Sequence, residues 1–318
     1  MQPAFSVIFL TTLIGAGQGL FLALYGTEVG ARIGWLPAPG PGFYVAGSVL
    51  VGALLVLGLV ASVFHLGRPE RGWRAASRWR TSWLSREVIV LPAFVAAVVV
   101  YGAAHWAAGT PLELPLSTLA IGAVTTLLAF ALFLCTGMVY ACIKFLQEWA
   151  SPLTVVNYLL LGCASGFTLA TAYAAVAEPG LTPIFGVVAL ALIAAALATR
   201  AASLVRNARL KPRSTLQSAI GIKHPRIVQK AQGMMGGAFN TREFFHGRSR
   251  ALLRSVKWAF LLLVFPVPAT LLIAGLALVS PALLAAAFVI QYLGLLAERW
   301  FFFAQANHPQ NLYYQAVA

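Results

Sequence analysis

The chain has 318 residues and a mean hydropathy of +0.84, with 60% apolar and only 9% charged residues. Soluble domains carry about 25% charged residues, so a soluble globular enzyme, a disordered chain and a fibrous protein are excluded. The 22 Lys and Arg outnumber 8 acids, all of them Glu, and this net charge of +14 must be placed relative to a membrane before it is read as a nucleic-acid signal.

A helix needs about 20 mostly apolar residues to cross a roughly 30 Å hydrocarbon core. In chain order such runs are Phe5–Tyr25, Phe43–Phe64, Glu87–Trp106, Leu116–Cys142, Leu153–Val176, Pro183–Val205, Trp258–Val279 and Ala282–Phe303. Proline and glycine punctuate the gaps, from Pro37 to Gly42 and at Pro111, Pro115, Pro152, Pro179 and Pro281. Lipid offers no partner to an open backbone. The expected fold class is therefore an all-α integral membrane protein with eight transmembrane helices, residues 1–318 forming a single membrane domain. The first span lacks the features of a cleaved leader and is expected to stay. Its Gly15 and Gly19 have the GxxxG spacing that favours close helix packing.

Eight spans put both termini on one side. That side also receives the loops after spans two, four and six, and with them 21 of the 22 basic residues. The other side holds Arg32 with Glu28, Glu113 and Glu178. The positive-inside rule places both termini and the basic loops in the cytoplasm.

The span interiors look dry. Gln18, Asn157 and Gln291 are polar but carry no proton, which speaks against an ion-coupled transporter. No two of the five His fall at matching depth on facing spans, so no haem is expected. Cys135, Cys142 and Cys163 lie within spans without a CxxC spacing, so no metal centre is expected.

The informative cluster is the second hairpin, with His65 closing span two, Arg68, Pro69 and Arg71 following, and Ser85, Arg86 and Glu87 opening span three. Antiparallel neighbours bring His65 and Glu87 to one depth. A His and a Glu at an interface can exchange the two protons of a quinone head group. The plain alternative is structural: His65 on the last carbonyls of span two, and Glu87 at a helix start capped by Ser85. Arg68 and Arg71 then either flank a quinone pocket or only set topology. Glu298-Arg299 in span eight fits an ion pair and a quinone-pocket wall equally well. Trp73, Trp79, Trp83, Trp300 and Phe301 to Phe303 crowd the same level, as an interfacial aromatic belt would.

Residues 206–255 form a basic loop with one acid, Glu243, interleaved with Met234-Met235 and the run Phe239 to His246. Docking of a protein partner, through residues such as Arg242 and His246, fits this mixture better than anionic lipid does. The tail over 304–318, with His308, has no lipid-binding charge pattern and also reads as a docking strand.

The eight-span layout, His65-Leu66-Gly67 with Pro69, and Glu87 after a basic loop resemble the membrane anchor of dimethyl sulfoxide reductase. Pro3 to Phe9, Gly15 to Leu20, Phe239 to His246 and Asn307 to Asn311 look closer to one subgroup, the anchors of sulfite:quinone oxidoreductases. The long basic loop departs from the shorter dimethyl sulfoxide reductase anchors. The resemblance implies a haem-free subunit in a bacterial cytoplasmic membrane that binds quinone (menaquinone or ubiquinone) at His65 and Glu87. It implies an iron–sulfur subunit and a molybdopterin catalytic subunit as partners, which hold those cofactors. Sulfite oxidation on the partner, with electrons passed to quinone, is the expected activity. The alternative is menaquinol oxidation for sulfoxide reduction, with a pure scaffold or a transporter behind both. Membrane lipid is a partner and nucleic acid is not.

Overall fold

The computed structural model describes residues 2–64, 66–108, 116–211, 215–231, 241, 243–245 and 249–314. No strand occurs among the described residues. Among the described residues, eight segments are long and apolar enough to cross a membrane. They are α1 (Phe5–Arg32), α2 (Pro41–Val63), α3 (Trp83–Ala108), α4 (Leu116–Ala141), α5 (Pro152–Ala177) and α6 (Thr182–Ala208), then a seventh made of α7 (Arg250–Val264) and α8 (Pro266–Ala277), and α9 (Pro281–Ala304).

The expected spans are all present, with shifted ends. α1 continues past Tyr25 to Arg32 and carries Glu28 inside the bundle. The seventh span starts at Arg250 rather than Trp258, so the basic stretch ends as helix. Two helix starts are marked by serine before proline. Ser151 Oγ accepts from the Leu153 N–H ahead of Pro152, and Ser280 Oγ from the Leu283 N–H ahead of Pro281. Ser85 does not cap α3 as expected: it is buried in the first turn, and its own N–H donates to Ser82 Oγ at 3.3 Å.

The seventh span breaks at Phe265 because Pro266 and Pro268 supply no N–H to the preceding turn. In an unbroken helix residue 268 would bond the Val264 carbonyl. Gln291 of α9 takes that role, its Nε2 donating to Val264 O at 3.4 Å. The polar residue at mid-span is thus a repair to the neighbouring backbone.

Helices α1 to α4 pack as one group, and α5 to α9 as a second. There are two apolar cores, the first around Leu20, Phe21, Phe94 and Tyr101 and reaching Ala170 of α5 and Phe185 of α6, the second around Ile193, Phe260, Leu272 and Leu295. The groups meet along α1 and α5 at glycine. A Cβ at Gly19 would lie 2.6 Å from the Gly162 carbonyl oxygen, and one at Gly166 would overlap the Gly19 backbone. The GxxxG spacing expected of α1 therefore faces a second one, Gly162 to Gly166, on α5.

The two ends of the bundle differ. At the end holding both termini, Trp149 donates to the Phe302 carbonyl at 2.9 Å and packs with Ile8, Tyr158, Phe244 and Phe303. Arg206 Nη2 donates to the carbonyls of Gln147 and Ala150 at 3.0 and 3.2 Å, fixing the α4–α5 turn. At the opposite end, four helices enclose Glu28. Tyr101 donates to its Oε2 at 2.7 Å, Thr118 donates to Oε1, and His105 Nε2 lies 3.4 Å from Oε2, with the His105 ring stacked on Tyr44 at 4.1 Å. Glu28, Tyr101, Thr118 and His105 are all fully buried.

Gly166→Ala is expected to lower the thermal midpoint of the detergent-purified protein, by about 1–3 kcal/mol for an overpacked contact. Gly26→Ala, where a Cβ meets nothing within 4 Å, serves as the tolerated control. Equal midpoints for the two variants would mean that α1 and α5 can separate freely. Glu28→Ala, which strands buried donors, should destabilise by about 3 kcal/mol in the same assay.

Candidate functional site

Glu87 sits one turn inside α3 and is buried. Thr136 of α4 donates to its Oε1 at 2.7 Å. The adjacent cation, Arg86, is engaged elsewhere. Its Nε and Nη2 donate to the Trp79 and Arg80 carbonyls, both at 2.9 Å, and its guanidinium lies 4.3 Å from the Trp83 ring centre. These bonds fasten the α2–α3 loop and leave the Glu87 carboxyl to the interior.

That interior is a cleft between α1, α3, α4, α5 and α9, whose polar groups include Thr12, Gln18, Glu87, Thr136, Tyr158 and Arg299. The space between its walls is narrow and admits a water molecule rather than a ring. Gly15 and Gly162 form part of its lining, so the closest approach of α1 and α5 is also where side chains are missing. Gln18 Nε2 donates to the Ala129 carbonyl at 2.7 Å and ties α1 to α4. Thr12 Oγ1 lies 3.2 Å from the Tyr292 hydroxyl and ties α1 to α9.

Arg299 comes from the second helix group. Its guanidinium lies 3.7 Å from the Tyr158 ring centre, and its Nη1 donates to Glu298 Oε2 at 3.0 Å. Glu298 points away from the cleft to α6, where its Oε1 meets Arg200 Nε at 2.8 Å, an ion pair at an angle too oblique for a hydrogen bond. All three side chains are buried.

Of the expected site residues, the cleft brings together Glu87 and Arg299, with Glu298 behind the latter. Glu298-Arg299 is thus an ion pair and, through Arg299, a wall of the cleft. Arg68 and Arg71 are exposed, Arg71 with Nε 3.9 Å from Glu70 Oε1, and neither lines the cleft. Trp73 and Trp79 are exposed, while Phe301 to Phe303 are buried. His65, Arg242 and His246 lie outside the described residues, as do Phe239 and Asn240. His308 is half-buried between the rings of Phe145 and Phe244 and accepts from the Gln310 N–H at 3.2 Å; burial holds its imidazole below the usual histidine range.

Sequence reasoning missed Thr136, Tyr158 and Arg200. An arginine within span six is a readable signal, because a cation inside a span needs a partner, yet by position alone Arg200 reads with the basic loop that follows it. Thr136 and Tyr158 carry no such mark.

The chain matches the family model of the DMSO reductase anchor subunit (DmsC) over residues 3–303. It is 55% identical over 326 aligned positions to a sulfite dehydrogenase subunit of Allochromatium vinosum, with 100% of each chain covered.

Replacing Thr136 by Val removes the hydroxyl that, among the described residues, donates to Glu87. The expected result is a lower thermal midpoint in detergent, by about 1–3 kcal/mol, with Thr136→Ser close to wild type. An unchanged midpoint for the valine variant would show that the carboxyl is satisfied by other groups.

Proposed function

The chain belongs to the DMSO reductase anchor subunit family, and from that premise we propose that it is the haem-free, quinone-reactive anchor of a sulfite-oxidising molybdenum and iron–sulfur complex. It is a multi-pass membrane protein. The observation that carries the reading is the pairing of a buried carboxyl, Glu87, and a buried guanidinium, Arg299, from the two helix groups on one cleft. The likeness to a sulfite dehydrogenase subunit favours sulfite as the electron source.

Sulfite would lose two electrons on the molybdopterin partner, and these would pass through the iron–sulfur partner to quinone. Quinone takes them with two protons and leaves as quinol. Glu87 and His65 supply hydrogen bonds and relay those protons. The cleft has room for little more than a water molecule, so the ring enters as side chains part. The end cap that gathers both termini, the α4–α5 turn and Phe244 supports partner docking at this end. The distribution of 21 basic residues on this side supports a cytoplasmic orientation. Docking extends to the basic loop over 206–255 and the tail.

His65→Ala and Glu87→Gln are expected to cut quinone-linked sulfite oxidation roughly a hundredfold. Turnover with a soluble dye that takes electrons directly from the partner subunits should stay unchanged. Full quinone-linked turnover in an assembled variant complex overturns the site. Faster sulfoxide reduction by quinol than sulfite oxidation would reverse the direction of flow.

A further inference from the structure

Arg200, Glu298 and Arg299 form a buried triad of two cations and one acid. Glu298 neutralises only one of them, so the triad holds one positive charge that it cannot balance itself. Burying such a charge is costly unless something nearby answers it. Arg200 projects from α6 toward α7 and α9, with its guanidinium 5.4 Å from the Phe260 ring centre and 5.9 Å from that of Phe301. Its surroundings are aromatic and closed. Arg299 faces the cleft, and its Nε has no hydrogen-bond partner among the described residues. Arg200 also has unused N–H groups, at Nε and Nη2, but of the two cations Arg299 is the one that lines the cleft and that a ligand there can reach. The Tyr158 ring beneath the guanidinium answers part of the charge. On the same cleft stands Glu87, the one carboxyl among its described lining. With Glu87 ionised the four charges cancel, and with Glu87 carrying a proton the cleft holds one net positive charge.

We propose that Arg299 binds a carbonyl oxygen of the quinone on the side of the cleft away from Glu87, and that Arg200 is its positioning residue, acting through Glu298. This rests on the quinone reading given above. A quinone carbonyl gains negative charge as electrons reach the ring, and an N–H of Arg299 donates to it most strongly at that moment. Arg200 matters because it occupies Glu298. Without Arg200, Glu298 would neutralise Arg299 outright, and the cleft would lose the charge that attracts the oxygen.

The test uses the complete complex in membranes, with a short-chain water-soluble quinone as acceptor. A dye accepting at the partner subunits reports on the rest of the complex. Arg299→Met is expected to lower quinone-linked kcat/KM at least tenfold at unchanged dye turnover, the scale of one charged hydrogen bond. Arg200→Met should give a similar loss per assembled complex. The double variant Arg200→Met/Glu298→Gln, which restores the single positive charge on Arg299, should recover to within about threefold of wild type. A purely structural triad predicts that the losses follow the amount of assembled complex, and that the double variant gains nothing once turnover is normalised to it. That outcome overturns the proposal, as does an Arg299→Met complex with normal quinone kcat/KM. If Glu87→Gln alone abolishes quinone turnover, the quinone reading stands and the role of Arg299 falls. If neither Glu87→Gln nor Arg299→Met affects it, the quinone reading itself falls.

Discussion

The backbones of α1 and α5 touch, and the remainder of the structure is arranged around that contact. Helices in lipid gain little from hiding apolar surface, since the tails are as apolar as leucine, so association depends on how closely they fit. Four glycines, Gly15 and Gly19 on one helix and Gly162 and Gly166 on the other, allow the closest fit available. With α1 and α5 so near, α4 and α9 close over the crossing from either side, each held by a polar residue of α1, Gln18 and Thr12. The same absence of side chains that lets two backbones meet leaves a gap just beside them. The cleft is the remainder of that packing, and it falls where the two helix groups share a border.

Besides Glu87, two sets of ionisable groups are buried among the described residues, and their surroundings separate them. Glu28 has three partners from α3 and α4, two of them hydroxyl donors, and no cavity adjoins it among those described. It reads as a clamp on the ends of four helices. The Arg200–Glu298–Arg299 set is unequal in charge and abuts a cleft. Burial with both carboxyl oxygens hydrogen-bonded makes a joint, whereas an unequal set of charges beside a cleft makes a place for a ligand.

Much of this is legible in the chain. Long apolar runs cut by proline fix eight crossings because lipid permits little else, and the glycine spacing of α1 announces a close neighbour. Glu87 and Arg299 stand out as rare charges near span ends. Partnerships between distant segments are not legible. Nothing adjacent to Arg200 names Glu298 as its partner, and Glu28 lies beyond the apolar run that ends at Tyr25, where a loop is expected. The Ser85 cap fails because a helix start is decided by which N–H groups lack a carbonyl, and the chain begins its turn three residues earlier, on Ser82. Pro266 and Pro268 are in plain view, but the break they cause becomes informative only once Gln291 is seen to serve Val264.

Between Glu87 and the Tyr101–Glu28 cluster, α3 rises through fourteen residues, about 21 Å at the usual rise per residue. That stretch is packed with Leu91, Phe94 and Val98 against Phe21 and Leu24, all buried. The hydroxyls of Thr27 and Thr125 fold back onto their own helices. A proton taken up at the cleft has no polar stepping stone toward the far end among these residues. Quinone chemistry in the cleft, as proposed, would draw its protons from the side on which the electrons arrive. Each turnover would then be electrically silent. It would add nothing to the membrane potential directly, and any energy conserved would have to be harvested later, by whichever enzyme reoxidises the quinol at another place in the membrane.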